Sequence, residues 1–208
     1  MLLFYYKRII LCESNISLLF ICLSTYKNPY IINIEEVIIT YDSIHIIMEN
    51  IPNGAFDKRL LSFPQSQYST VLNQIISGID FLHSNSIIHR DIKLENILYN
   101  EEKGTIKIID FGLSKVLFPS ETTSECCGTV SYSAPEIIEG KPYTKTVDIW
   151  SFGILAYIFK YKKKPFDNEE FDKDTINRKI STCLRYSTRK ILLFGKKTFS
   201  KELFIKHW

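Results

Sequence analysis

The chain contains 208 residues, of which 45% are apolar and 24% are charged. This balance excludes an intrinsically disordered chain, and the length suffices for one large domain or two small lobes with a substantial core. The net charge is only +3, so charge gives no reason to expect a nucleic-acid partner. Five cysteines, an odd number without metal-ligand spacing, favour a reducing and therefore cytoplasmic location.

The N-terminal segment has no clear membrane span. Its longest apolar run, residues 16–23, is far shorter than the roughly 20 residues that a spanning helix needs. A signal peptide or short anchor is one interpretation of this run, and a buried strand or helix of a small lobe is the one that we prefer.

Secondary-structure patterns continue along the chain from residue 31. The β-branched runs at 31–37 and 44–48 predict two strands around a polar turn, and the breaker cluster at 52–54 predicts a hinge between lobes. Apolar residues spaced by three and four predict a core-facing helix over 65–84. Short apolar runs predict strands at 87–89, 97–99 and 106–109, with a turn at 100–104. Residues 113–128 are expected to form a loop, and 147–161 a buried central helix.

A group of polar residues follows the predicted strands. Residues 89–96 read H-R-D-I-K-L-E-N, and residues 110–112 read D-F-G. Phosphoryl transfer needs a carboxylate near the attacking hydroxyl, ligands for Mg²⁺ and a cation on the phosphates. Asp91 can accept the hydroxyl proton, while Asn96 and Asp110 can hold the metal ion. Lys93 stands two residues after Asp91, on the same side of an extended turn, where it can neutralise the phosphoryl group.

These motifs resemble those of the eukaryotic protein kinases. H-R-D-x-K-x-x-N and D-F-G are complete, A-P-E follows at 134–136, and D-I-W-S-F-G at 148–153 resembles the start of the family's central helix. The resemblance implies an α+β, two-lobe fold with a mostly helical C-terminal lobe and a truncated, β-rich N-terminal lobe. Residues 1–50 would be the remnant of the small lobe, with 1–27 atypical, and residues 51–208 the large lobe.

The same resemblance implies a serine/threonine kinase that uses ATP and Mg²⁺ and phosphorylates a protein. Lys93 is typical of serine/threonine specificity. C-G-T at 127–129, K-P-F at 164–166 and K-H-W at 206–208 are similar to the calcium/calmodulin-dependent group.

The implied nucleotide site lies around the hinge. Met48 would stand behind the adenine, Glu49 and Ile51 would offer backbone groups to it, and Leu98 would pack beneath it. Glu95 would contact the ribose or a basic substrate, or would simply be solvated.

The implied activation loop precedes Gly128. Arg90 would anchor an anion of this loop, and Thr129 would support Asp91 or Lys93 by hydrogen bonding. Glu125 occupies the position where the family commonly has a regulatory threonine, so it either mimics a phosphate towards Arg90 or is solvated. The candidate phosphorylation sites are Thr122, Thr123 and Ser124.

Part of the family pattern is not found in this sequence. The first glycine is Gly54, so no glycine-rich phosphate loop precedes the hinge. Neither Lys7 nor Lys27 stands in a V-A-I-K-like setting. We therefore expect weak kinase activity. The alternatives are an inactive pseudokinase that acts as a binding or scaffold module, and a fragment of a longer active kinase.

Overall fold

The computed structural model describes residues 4–10, 27–52 and 54–165 of the chain. None of the helices within these ranges is both long enough and apolar enough to cross a bilayer. The apolar run at 16–23 and the K-H-W sequence at 206–208 lie outside the described residues.

A three-stranded antiparallel sheet forms the small lobe. Its strands are β1 (Phe4–Ile10), β2 (Ile34–Ile39) and β3 (Ser43–Glu49), in the order β1-β3-β2. On the central strand β3, alternate residues Ile44, Ile46 and Met48 are buried, as a sheet with one face on the core requires.

The sequence predicted β2 and β3 but no strand at β1. The predicted start of β2, residue 31, is three residues too early, because residues 31–33 do not belong to this sheet. Ile31 forms a parallel bridge with Ile108, and Ile32 donates a backbone hydrogen bond to the Ile108 carbonyl at 3.0 Å. This segment therefore connects the sheet to the rest of the molecule. The division into lobes at residue 50 remains a prediction.

Two helices build the core of the large lobe. Residues 65–67 form a 3₁₀ turn that continues into α1 (Tyr68–Ser84), and its Leu72, Ile75 and Ile79 are completely buried. A later helix, α3 (Thr146–Tyr161), is buried on almost every side and packs against α1. Both helices lie where the apolar spacing predicted them, within a few residues.

Short strand pairs surround the turns that carry the polar motifs. Strand β4 (Ile87–Ile88) pairs with β7 (Lys115–Val116), and β5 (Ile97–Asn100) pairs with β6 (Thr105–Ile108). The one-turn helix α2 (Pro135–Ile138) begins at the proline of the A-P-E motif.

The prediction of a continuous loop over 113–128 is wrong in two places. It missed β7, and it missed the backbone bridge between Thr123 and Tyr143. A two-residue strand and a single bridge are too short to produce a hydrophobic period, so the sequence pattern could not reveal them.

The core of α1 gives a direct test of this fold. Leu72 is 0% exposed, whereas Leu61 is 84% exposed. We expect Leu72→Ala to lower the free energy of unfolding by about 2–5 kcal/mol, because it leaves a cavity in packed surroundings. Leu61→Ala should change it by less than about 0.5 kcal/mol. Equal effects of the two substitutions in urea titrations would contradict the packing of α1.

Candidate active site

A buried carboxylate holds the start of the H-R-D motif in place. Asp148, in the first turn of α3, accepts backbone hydrogen bonds from His89 N–H at 2.9 Å and Arg90 N–H at 2.8 Å. His83 Nε2 of α1 donates a third at 2.8 Å. Burial alone would raise the pKa of the Asp148 carboxyl, but the hydrogen bonds from the His83 side chain and the His89 backbone hold that pKa below its ordinary value. Asp148 therefore joins α1 and α3 to the loop as a carboxylate.

This anchor supports an unfavourable backbone conformation. Arg90 has a φ of 67°, in the left-handed region that non-glycine residues seldom adopt. Such a residue costs on the order of 1–3 kcal/mol and persists only where its surroundings determine it. The two backbone N–H groups that donate hydrogen bonds to Asp148 hold Arg90 in this conformation. The turn directs the following residue, Asp91, towards Thr129.

Asp91 is the centre of a closed hydrogen-bond network. Its Oδ1 accepts the Thr129 hydroxyl at 2.7 Å and the Thr129 N–H at 3.1 Å. Its Oδ2 accepts Asn96 Nδ2 at 3.0 Å and pairs with Lys93 Nζ at 2.6 Å. Lys93 Nζ also donates to the Thr129 hydroxyl at 2.9 Å. The structure thus brings Thr129 to both of the partners that the sequence named for it.

The D-F-G turn lies beside this network. The Asn96 carbonyl accepts the Ile109 N–H at 2.9 Å, just beyond the end of the β5–β6 ladder, and Asp110 is the next residue after Ile109. Burial lowers the pKa of His89, whose Nδ1 accepts the Asp91 N–H at 3.3 Å while Nε2 donates to the Ile109 carbonyl at 3.0 Å. The same ring packs edge-on against Phe111 at 5.0 Å between centroids. Two turns from different parts of the sequence are therefore held together.

A cavity of about 600 Å³ opens between the small sheet and these turns. Asp110 lines it together with apolar side chains of β2 and β3. All five residues that the sequence assigned to nucleotide binding line this cavity: Met48, Glu49, Ile51, Glu95 and Leu98. Its size and mostly apolar walls suit a flat heterocycle with a polar tail.

The donor atoms near Asp110 fit Mg²⁺. Both side-chain hydrogen bonds of Asn96 use its NH₂ group, towards the Asp91 carbonyl and carboxylate, so Asn96 Oδ1 is left as an acceptor. An amide oxygen and the Asp110 carboxylate are hard ligands, as Mg²⁺ prefers. No cluster of three or more His, Cys, Asp or Glu side chains suited to a metal occurs in the described parts of the chain. Mg²⁺ held by one or two protein oxygens and by phosphates needs no such cluster.

The activation loop is tied to Arg90 through Glu125. Arg90 Nη1 donates to Glu125 Oε2 at 2.6 Å, Lys115 Nζ contacts Glu125 Oε1, and the Tyr143 hydroxyl donates to the Glu125 carbonyl at 2.7 Å. Hydrogen bonds from Lys115 and Arg90 lower the pKa of the Glu125 carboxyl to about 2. Glu125 is therefore ionised and paired, although its side chain is partly exposed.

The three candidate phosphorylation sites lie in different environments. Thr123 is only 7% exposed, and its backbone pairs with Tyr143 in both directions. Thr122 and Ser124 are exposed. A modifying enzyme can reach Thr122 and Ser124 in this conformation, whereas Thr123 would first have to leave its bridge.

Sequence reasoning missed three residues that organise the site. Asp148 was noticed only as the start of a helix motif, and Lys115 and Tyr143 were not noticed at all. A charged residue at the first turn of an otherwise apolar helix was a usable signal for Asp148. Lys115 and Tyr143 act through long-range contacts that no local spacing reveals.

Comparison with known proteins agrees with this geometry. The protein kinase domain family matches residues 19–203, which is most of the chain. The chain is 39% identical over 145 residues to a SNF1-related protein kinase catalytic subunit alpha of Arabidopsis thaliana, covering 68% of this chain and 29% of that protein. It is 38% identical over 145 residues to a calcium/calmodulin-dependent protein kinase type 1 of Caenorhabditis elegans, covering 66% and 41%.

A third relative is the human NUAK family SNF1-like kinase 1, which is 38% identical over 166 residues, or 77% of this chain and 24% of that protein. The chain thus spans less than half the length of each of these relatives. The predicted likeness to the calcium/calmodulin-dependent group is confirmed by the second of them. With the family matched over most of the sequence, and with Glu95 and the D-F-G motif lining one cavity, the chain belongs to the protein kinase domain family.

Proposed function

We propose that the chain transfers the γ-phosphoryl group of ATP to a serine or threonine hydroxyl of a protein, with Mg²⁺. The observation that carries this proposal is that Asp91 pairs with Lys93 at 2.6 Å and bonds to Asn96. The Asn96 carbonyl accepts the N–H of the residue just before the cavity-lining Asp110. Catalysis of phosphoryl transfer consists mainly of positioning and of charge stabilisation, and these groups provide both.

Each residue has a distinct role in this proposal. Asp91 orients the acceptor hydroxyl and takes its proton as the acceptor oxygen bonds to the γ-phosphorus and the bond to the β-phosphate oxygen breaks. Lys93 balances the negative charge on the transferred group. Asn96 Oδ1 and Asp110 would hold Mg²⁺, which supplies charge neutralisation on the phosphates when it is bound. Thr129 fixes the orientation of the Asp91 carboxylate.

The register of the small sheet gives Lys7 of β1 a position on the cavity face. In the register of the small sheet, Tyr5 stands opposite Met48 and Lys7 opposite Ile46. Ile46 and Met48 both line the cavity. Residues directly opposite each other share a face of an antiparallel sheet, so Lys7 takes a position on the cavity face, and Arg8 one on the other. We include Lys7 in the proposed nucleotide site for this reason, although its sequence setting did not indicate it.

A second function, that of a kinase-like binding module, is favoured by one observation. The first glycine of the chain is Gly54, so the backbone upstream has no residue suited to close approach around phosphates. Such a module would keep the Asp91 network as a structural element and would not turn over ATP.

The proposed partners are ATP and an acceptor protein, in a reducing, cytoplasmic setting. Cys126 and Cys127 are free thiols in the described activation loop, which supports that setting.

Substitution of Asp91 tests the proposed reaction. Asp91→Asn keeps the size of the side chain but removes the acceptor for the hydroxyl proton. We expect the rate of phosphoryl transfer to a mixed peptide library to fall by about 10²-fold or more, with ATP affinity within about twofold of the parent. Asp57→Asn, at an exposed position of the 3₁₀ turn after the hinge, is the control and should keep full activity. Equal activity of Asp91→Asn and the parent would reject the role of Asp91. A parent that binds ATP without transferring phosphate would favour the binding module.

Substitution of Lys7 tests the assignment made from strand register. Lys7→Met should weaken ATP binding by about tenfold, because a charge-assisted contact to phosphate is lost. Arg8→Met, one position along the same strand and on its other face, should leave the affinity within about twofold. Fluorescence titration with an ATP analogue measures both. A larger loss for Arg8→Met than for Lys7→Met would contradict the register.

We further propose that Glu125 keeps the activation loop ordered without phosphorylation. Its pKa of about 2 lies below the ordinary value, so its contribution to loop order is complete above about pH 4.5 and is lost only as the pH falls towards 2. A phosphate, with a second pKa of about 6, would change its charge within the range from pH 5 to 7.

Hydrogen exchange of the activation loop tests this proposal. Glu125→Gln should speed amide exchange over residues 115–128 by several fold, because the side chain loses its charge towards Arg90 and Lys115. Glu102→Gln, which removes the same charge from an exposed acid of the β5–β6 turn, should have little effect. The parent should show equal protection at pH 5 and pH 8 after correction for intrinsic rates. Unchanged exchange in Glu125→Gln would show that Glu125 is simply solvated.

A further inference from the structure

Another ion pair lies at the hinge side of the cavity and includes none of the proposed reacting groups. Lys107 of β6 pairs with Glu49 Oε1 at 2.7 Å and donates to the Ile31 carbonyl at 3.0 Å. Glu49 Oε1 also accepts the Asn33 N–H at 2.8 Å, and Glu49 N–H donates to the Asn33 carbonyl at 3.0 Å. The end of β3, the connecting segment and β6 therefore meet at one carboxylate.

The alternation of β6 places Lys107 at this point. Ile106 and Ile108 are completely buried in the large-lobe core, so Lys107 between them lies on the opposite face of the strand. Lys107 stands opposite Leu98 in the β5–β6 pair, and Leu98 is one of the cavity-lining residues. The side chain of Lys107 is only 15% exposed, and that of Glu49 is 27% exposed.

This arrangement joins two walls of the cavity that come from different lobes. Glu49 and Ile51 line it from the hinge, and Leu98 lines it from β5. Lys107 is absent from the described lining residues, but it holds Glu49 at a fixed distance from the strand pair that carries Leu98. We propose that Lys107 is a positioning residue, which through Glu49 sets the width of the slot for a nucleobase. This inference rests on the proposed nucleotide binding.

If Lys107 had only a structural role, its substitution would affect stability and nucleotide affinity differently. A partly exposed ion pair contributes little to global stability, and its loss need not alter a distant site. If Lys107 only stabilised the fold, its removal would lower the free energy of unfolding without changing nucleotide affinity. If it sets the width of the slot, nucleotide affinity changes as well, because bound nucleotide must then restore the hinge position.

Calorimetric titration with Mg²⁺-ADP tests the inference in the full chain. We expect Lys107→Met to weaken ADP binding by about tenfold and Lys107→Arg to restore most of it. Lys103→Met removes an exposed lysine from the β5–β6 turn and should stay within about twofold of the parent. An unchanged affinity in Lys107→Met, with a lowered free energy of unfolding, would overturn the inference.

Hydrogen exchange at the hinge separates this inference from the proposed function. Amides of residues 49–51 should exchange several times faster in Lys107→Met than in Lys103→Met. A parent that binds no nucleotide rejects the proposed function, while faster hinge exchange in Lys107→Met would still support the contact that holds the hinge. Equal hinge exchange in the two variants rejects that role of Lys107, whatever the nucleotide result.

Discussion

The buried carboxylate of Asp148 is the interaction on which the site depends. It receives the amides of His89 and Arg90, and through them it holds Arg90 in a left-handed conformation that its side chain disfavours. A buried carboxylate would itself be costly without partners, and a third donor, His83, completes them. The core helices α1 and α3 thus fix the direction of the chain at Asp91. The packing of the helical lobe and the geometry of the reacting groups therefore depend on the same contacts of Asp148.

Two further charged contacts connect this centre to the activation loop and to the hinge. Glu125 joins the activation loop to Arg90, and Lys107 joins the hinge to β6. Each uses a carboxylate with more than one donor, which gives directional order at partly exposed positions where apolar burial is small. Glu49 lines the cavity, so the Lys107 contact holds its hinge wall, while the Glu125 contact holds Arg90, the residue before Asp91.

Sequence patterns revealed the long helices and the polar motifs because their signals are local. The three- and four-residue spacing of Leu72, Ile75 and Ile79 defined α1, and contiguous motifs defined the two polar turns. The cavity-lining residues could be named only through the family resemblance. Sequence patterns did not predict strand β1 or the contacts of Lys107 and Lys115, because these depend on pairing between distant segments. The register that brings Lys7 opposite Ile46 is a property of the sheet and leaves no pattern within residues 4–10.

Paramagnetic broadening by Mn²⁺-ATP tests most directly whether the two turns form one cation site. Mn²⁺ takes the same oxygen ligands as Mg²⁺ and broadens resonances of nearby nuclei. We expect the Asn96 side-chain amide and the Gly112 backbone amide to broaden together at low Mn²⁺-ATP, while the amide of Gly140, in the exposed turn after α2, stays sharp. Uniform weak broadening of all three, or broadening of Gly112 without Asn96, would contradict a site shared by the two turns.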